Sequence, residues 1–130
     1  GALLSEAGDP DAELWFERAA RAGHVEARFN HARALLDSDP VAARDWYGQA
    51  GKAGFGPASF NLSLMLARGQ GGARSFQKAL TWALVAQEQG FVQAATLIGA
   101  LSEVMSAEAE GTARAQAGLC LADVTACPDG

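Results

Sequence analysis

The sequence predicts an all-α fold built as a stack of helical repeats, and three observations predict it. Trp is followed eight residues later by Gly, and four further on by Ala, at Trp15, Gly23 and Ala27, at Trp46, Gly54 and Ala58, and at Trp82, Gly90 and Ala94. The three positions shift together, by 31 residues and then by 36, and a fixed period of that size marks an array whose units bury their apolar faces against one another. The chain is rich in Ala and Leu, poor in β-branched residues and only 8% aromatic, a balance that favours helix. Finally, Trp15, Ala19 and Ala22, like Trp46, Ala50 and Ala53, stand at i, i+4 and i+7, which aligns them along one helical face. At 130 residues a single domain, 1–130, is expected, long enough to bury a core.

Residues 2–10 echo residues 34–40, both running Ala-Leu-Leu towards Asp-Pro. The chain is therefore expected to open on a partial repeat at 1–10, with units at about 11–40, 41–74 and 75–106. Each Asp-Pro suits a helix start, since Asp caps free N–H groups and Pro, lacking one, fits the first turn; helices follow at 11–22 and 41–53. Within them the Trp ring is expected to wedge between repeats while the alanines allow close approach. Gly23, Gly54 and Gly90 end the Trp-bearing helices in a left-handed conformation. His24-Val25-Glu26, Phe55-Gly56-Pro57 and Phe91-Val92-Gln93 then begin partner helices at 25–37, 56–68 and 91–105. Gly69 to Gly72 makes a turn, and 75–89 is the third Trp-bearing helix, with Leu80 and Leu84 beside Trp82. Ser106 can cap a last helix at 107–122, with Glu108 at its positive end. That helix carries Ala113, Ala117, Leu119 and Leu121 but no Trp, and closes the stack, terminal repeats commonly being atypical. Residues 123–130 are a tail.

The stretch Trp46-Tyr47, Ala50, Gly54, Ala58, Phe60-Asn61-Leu62, Gly69-Gln70-Gly71 and Lys78-Ala79 resembles the Sel1-like repeat family, a relative of the tetratricopeptide repeat. The family pattern runs roughly W-Y-x-x-A-A-x-x-G-x-x-x-A-x-Y-N-L-G, then a Gly-x-Gly loop, then K-A before the next Trp. The unit from Trp15 keeps Trp15-Phe16, Ala19-Ala20, Gly23-His24, Ala27 and Phe29-Asn30, but its loop at 36–40 is short and lacks Gly-x-Gly. The unit from Trp82 is degenerate, with Ala83, Leu84 and Thr96 where the pattern wants an aromatic, a polar residue and an aromatic. The resemblance covers about residues 2–105. It implies a right-handed α-α superhelix, a solenoid of antiparallel helix pairs in which the first helix of each pair lines a concave face.

Composition and motifs narrow the function. A net charge of −5 without a Lys/Arg cluster argues against nucleic-acid binding. No apolar run approaches the roughly 20 residues of a membrane span, so no transmembrane segment is expected. The compartment stays open: cytoplasmic, or periplasmic or secreted if a leader was removed. His24 and His31 stand seven apart with no Cys or carboxylate completing a ligand set, so no metal is expected. No nucleophile motif or dinucleotide fingerprint occurs, and Gly69-Gln70-Gly71-Gly72 lacks the Lys-Ser/Thr and preceding strand of a phosphate loop. Neither catalysis nor a cofactor is expected. Cys120 and Cys127 on one unbroken helix would lie about 10.5 Å apart, beyond the roughly 7 Å that a disulfide spans. A bond therefore requires the helix to end between them, which Asp123, Thr125 and Pro128 permit; two free thiols are the alternative.

Residues three or four apart on the lining helices share a face. These are Glu26, Phe29, Asn30, Arg33 and Asp37 on the first, Pro57, Phe60, Asn61, Leu64 and Arg68 on the second, and Gln93, Thr96, Leu97 and Ala100 on the third. The expectation is a protein-interaction module or scaffold for a protein or peptide partner. Asn30 and Asn61 would hold an extended backbone, since Asn both donates and accepts, while Arg33 or Arg68 meets a carboxylate. Asn at this position belongs to the family pattern and can instead bridge neighbouring helices; Phe29 and Phe60 can serve as core rather than contact. Two alternatives stand beside this reading: a hydrolase or cell-wall-fragment binder, as disulfide-rich relatives have been proposed to be, and a structural repeat segment of a larger chain.

Overall fold

The computed structural model describes residues 24–128, so the expected helix at 11–22, with Trp15 and Gly23, lies outside the described residues. Within them the chain is all-α, without a strand. Residues 24–35 form α1, followed by α2 (Pro40–Lys52), α3 (Gly56–Arg68), α4 (Phe76–Glu88), α5 (Ala94–Val104) and α6 (Ala107–Ala122), and a 3-10 turn at Val124–Ala126.

The boundaries follow from local chemistry. Asp39 caps α2 by accepting from the Ala42 N–H at 3.2 Å, with Pro40 in the first turn. Ser75 caps α4 through the Lys78 N–H and Ser106 caps α6 through the Ala109 N–H, both at 3.1 Å. Each oxygen satisfies a donor that the helix itself leaves unpaired. At the other ends, Gly54 and Gly90 take φ of 99° and 96°. The Phe55 N–H returns to the Ala50 carbonyl and the Phe91 N–H to the Ala86 carbonyl, at 3.1 and 3.0 Å, the six-to-one bond of a glycine-terminated helix. The starts of α2 and α4 shift by one residue from expectation, and α5 departs further, from an expected start at 91. No capping side chain precedes it, and the chain enters through three-residue bonds from Ala94 to Phe91 and from Ala95 to Val92, so regular helix begins only at Ala94.

Successive helices pack on one another: α2 on α3, α3 on α4, and α4 on both α5 and α6. The largest fully buried side chains are Trp82, Tyr47, Leu62, Met65, Leu66 and Leu80. Trp82 is therefore the deep wedge, whereas Trp46 is only half-buried, its ring edge-on to His31 at 5.3 Å. The buried face of α2 is also rotated from the expected one. It comprises Ala43, Arg44, Tyr47, Gly48, Ala50 and Gly51, and Ala53 is exposed.

Small residues at the contacts let the helices approach closely. A Cβ on Gly51 would stand 2.7 Å from Ser59 Oγ and 3.2 Å from the Trp82 ring. Polar bonds then cross the same contacts. The Gln89 amide donates to the Gly51 carbonyl at 2.9 Å and accepts from Ser59 Oγ at 2.7 Å, tying the ends of α2 and α4 to the start of α3. Ser63 Oγ donates to the Ala79 carbonyl, and Thr81 Oγ1 donates to the Ala113 carbonyl at 3.3 Å.

The last helix buries Ala113, Ala117 and Cys120, at i, i+4 and i+7, and leaves Leu119 and Leu121 57% and 44% exposed. The leucines thus flank the seam rather than fill it. Beyond Ala122 the chain turns at Asp123, whose carboxylate accepts from the Thr125 N–H at 2.9 Å. That turn brings Cys127 back to Cys120 with Cα atoms 4.3 Å apart, and the two are disulfide-bonded.

Two outcomes test this packing. Trp82→Ala should cost about 3–5 kcal/mol in urea unfolding, and Trp46→Ala less than about half of that; equal losses would contradict the burial difference. Reducing the Cys120–Cys127 bond opens a short loop and should lower stability by about 2 kcal/mol on chain-entropy grounds, read as a lower melting temperature in the presence of a phosphine reductant.

Candidate functional site

Two turns of α3 and one turn of α1 face each other across the side chain of Tyr47. Between them lies a cleft of about 360 Å³. From α1 comes Arg33 and from the turn after it Leu36; from α3 come Asn61, Leu64, Met65 and Arg68, spaced to share a face; Gln70 of the following loop completes the lining. Tyr47, 1% exposed, belongs to the core as well as to the cleft. Burial raises its pKa above the usual 10, against the opposing pull of the Arg33 charge and the Asn61 amide. The phenol therefore stays protonated at neutral pH and keeps an O–H to donate.

Four residues singled out from the sequence thus come together: Arg33, Asn61, Leu64 and Arg68. Phe29 does not line the cleft but buttresses it, its ring 5.6 Å from Tyr47 and 5.1 Å from Phe55, with the Arg33 guanidinium 5.9 Å away. Phe60 packs on Phe91 at 4.9 Å, the same aromatic pairing one unit later. Asn30 is exposed and lies outside the cleft lining. Sequence reasoning passed over Tyr47 and Gln70 as contacts. Tyr47 carried a signal, its place beside Trp46 in the repeat pattern, whereas Gln70 had only its position between two glycines.

The cleft is cationic. Among the described residues no carboxylate lines it, and the single ion pair there is Glu110 with Arg114 at 2.9 Å, in α6. One unit later the positions of Arg33, Tyr47, Asn61 and Arg68 are held by Leu64, Ala83, Leu97 and Val104, so the polar set is not repeated there.

The loop that carries Gln70 is held by a buried arginine. Arg44 of α2 is 6% exposed and donates to the Ala73 carbonyl at 2.8 Å and to the Gln70 carbonyl at 3.4 Å, while its Nε has no partner. Desolvation lowers its pKa below the usual guanidinium value. The loop wraps this group so closely that a Cβ on Gly72 would overlap the guanidinium, and one on Gly71, at φ 72°, would overlap the Pro40 carbonyl. A second cleft of about 290 Å³ is lined by Arg44 itself with Asp45 and Lys52, and the Arg44 guanidinium is already spent on the loop carbonyls.

Among the described residues no group of three His, Cys, Asp or Glu is arranged to hold a metal, and no helix is long and apolar enough to cross a membrane. No known family model matches the chain, and no curated protein matches it.

Gly71→Ala should destabilise by about 1–3 kcal/mol, from positive φ and backbone overlap, whereas Gly99→Ala, in open space on α5, should be neutral or stabilising by up to about 1 kcal/mol. Equal effects in denaturant unfolding would contradict the close loop. Tyr47 is the only tyrosine, so ultraviolet absorbance titration reads it alone. Its native midpoint should lie above that of the denatured chain. Because the folded state raises this pKa, the associated stability is present below about pH 10 and is lost as pH rises through the native midpoint.

Proposed function

We propose that the chain is a protein-interaction module of the Sel1-like type, an α-solenoid that holds an extended peptide segment of its partner on its concave face. The observation that carries this reading is the cleft between α1, α2 and α3, where Arg33, Tyr47, Asn61 and Arg68 meet and no carboxylate among the described residues lines the space. Asn61 can both donate to and accept from a main-chain amide, as capture of an extended backbone requires. Support for the solenoid comes from the period in the sequence and from the recurrence of one aromatic contact, Phe29 on Phe55 and Phe60 on Phe91. The Sel1-like assignment rests on the quoted residues. The chemistry is that of binding: no nucleophile, acid–base pair or metal set accompanies these donors in the cleft lining.

Peptides selected from a random display library against the parent chain should bind Asn61→Ala about tenfold more weakly, with stability changed by no more than about 1 kcal/mol. Asn30→Ala, outside the cleft lining, should bind them unchanged. Peptides held equally well by Asn61→Ala would move the site elsewhere on the surface.

A further inference from the structure

We propose that, independently of any peptide held between α1 and α3, the Cys120–Cys127 bond is a thiol-exchange site, at which a small anionic thiol is captured on Cys127 as a mixed disulfide. These are the only two cysteines in the chain, so the bond can pass to an outside sulfur with no third cysteine to reshuffle it. The two sulfurs stand in unlike places. Cys120, in the last turn of α6, is 2% exposed and belongs to the buried core. Cys127, beyond the turn, is half-buried and packs against the edge of that core. A thiolate attacks a disulfide sulfur from the side opposite the bond that breaks, and access decides which sulfur it meets. Access here favours Cys127, and Cys120 is the sulfur that leaves.

A cleft of about 210 Å³ opens beside the bond. The end of α2 at residues 51–54 borders it together with Val85 and Gln89 of α4, and Leu121, Val124 and both cysteines complete the lining. Gly51, Ala53 and Gly54 bring almost no side chain, which leaves Lys52 as the one charged group; among the described residues no carboxylate lines the space. A cation beside reacting sulfurs stabilises the negative charge that the incoming thiolate brings and the departing sulfur carries away. It also attracts carboxylates, so an acidic thiol is preferred to a cationic one. The volume, below the ordinary range of ligand pockets, admits a cysteine-sized group rather than a protein surface.

The turn that carries Cys127 can yield to the adduct. It packs chiefly on α6, where the Gln116 amide donates to the Ala126 carbonyl, and its Val124 is 53% exposed. In the step itself the incoming thiolate forms a bond to Cys127 Sγ while the Cys120–Cys127 bond breaks. The electron pair of that bond goes to Cys120 Sγ, which takes a proton from water. The incoming sulfur is oxidised to the disulfide level and Cys120 is reduced to a thiol, so no further oxidant or reductant enters. Cys120 stays tethered beside the mixed disulfide and expels the small thiol by the reverse step.

The test incubates the disulfide form with glutathione, or with cysteamine as a cationic control at equal thiolate concentration, and quenches early samples in acid for alkylation and mass spectrometry. Glutathione should give one adduct, on Cys127, with Cys120 recovered as the alkylated thiol, and should form it at least about threefold faster than cysteamine. Lys52→Glu, a change at an exposed side chain, should remove or reverse that preference while leaving the melting temperature unchanged. An adduct on Cys120 would overturn the assigned site. Equal rates with the two thiols, or a preference for glutathione that survives in Lys52→Glu, would overturn the recognition of an anionic thiol. The absence of any adduct with either thiol would overturn the proposal as a whole.

Discussion

The Arg44 guanidinium, buried in α2 and held by the carbonyls of Gln70 and Ala73, is the constraint on which the cleft-bearing half of the molecule depends. A buried charge is tolerated only if hydrogen bonds replace the water it has lost. Arg44 obtains them from a loop almost thirty residues away in sequence, so the stability of the charge and the path of the loop are one problem. Glycine at 71 and 72 lets the backbone close over Pro40 and the guanidinium. With the loop fixed, the end of α3 is fixed too, and Arg68 and Gln70 are held at the border of the cleft.

The remainder of the stack turns on α4, which packs on α3, α5 and α6. Trp82 supplies its bulk, but apolar burial is non-directional and does not choose one sliding position of a helix over another. The side-chain bonds do. Ser63 to Ala79, Thr81 to Ala113, and Gln89 to both Gly51 and Ser59 each join two helices at a single register. Small residues make this possible, because a hydroxyl reaches a neighbouring carbonyl only when the backbones are close.

What could be read in advance was what residue types announce locally. Helix ends marked by Asp39-Pro40, Ser106, Gly54 or Gly90 fall where those residues place them, and α5, with no cap, starts three residues late. Burial within a helix was less legible. Tyr47 and Arg44 lie inside while Trp46 and Ala53 do not, because the inward face is chosen by the neighbours' surfaces and not by the largest ring. Arg44 could not be anticipated at all, since its partners are main-chain carbonyls that no side chain advertises. In the cleft, Arg33, Asn61, Leu64 and Arg68 were legible from helical spacing. Tyr47 and Gln70 were not, because one comes from a different helix and the other from a loop.

An array of like units ordinarily offers a like surface at every step. In this chain Leu64, Ala83, Leu97 and Val104 replace the polar set one unit on, so the combination of Arg33, Tyr47, Asn61 and Arg68 occurs once among the described residues. If the proposed binding holds, simultaneous engagement of two such sets requires a second copy of the described residues, and a concatenated or clustered form would gain through avidity what repetition within them does not supply.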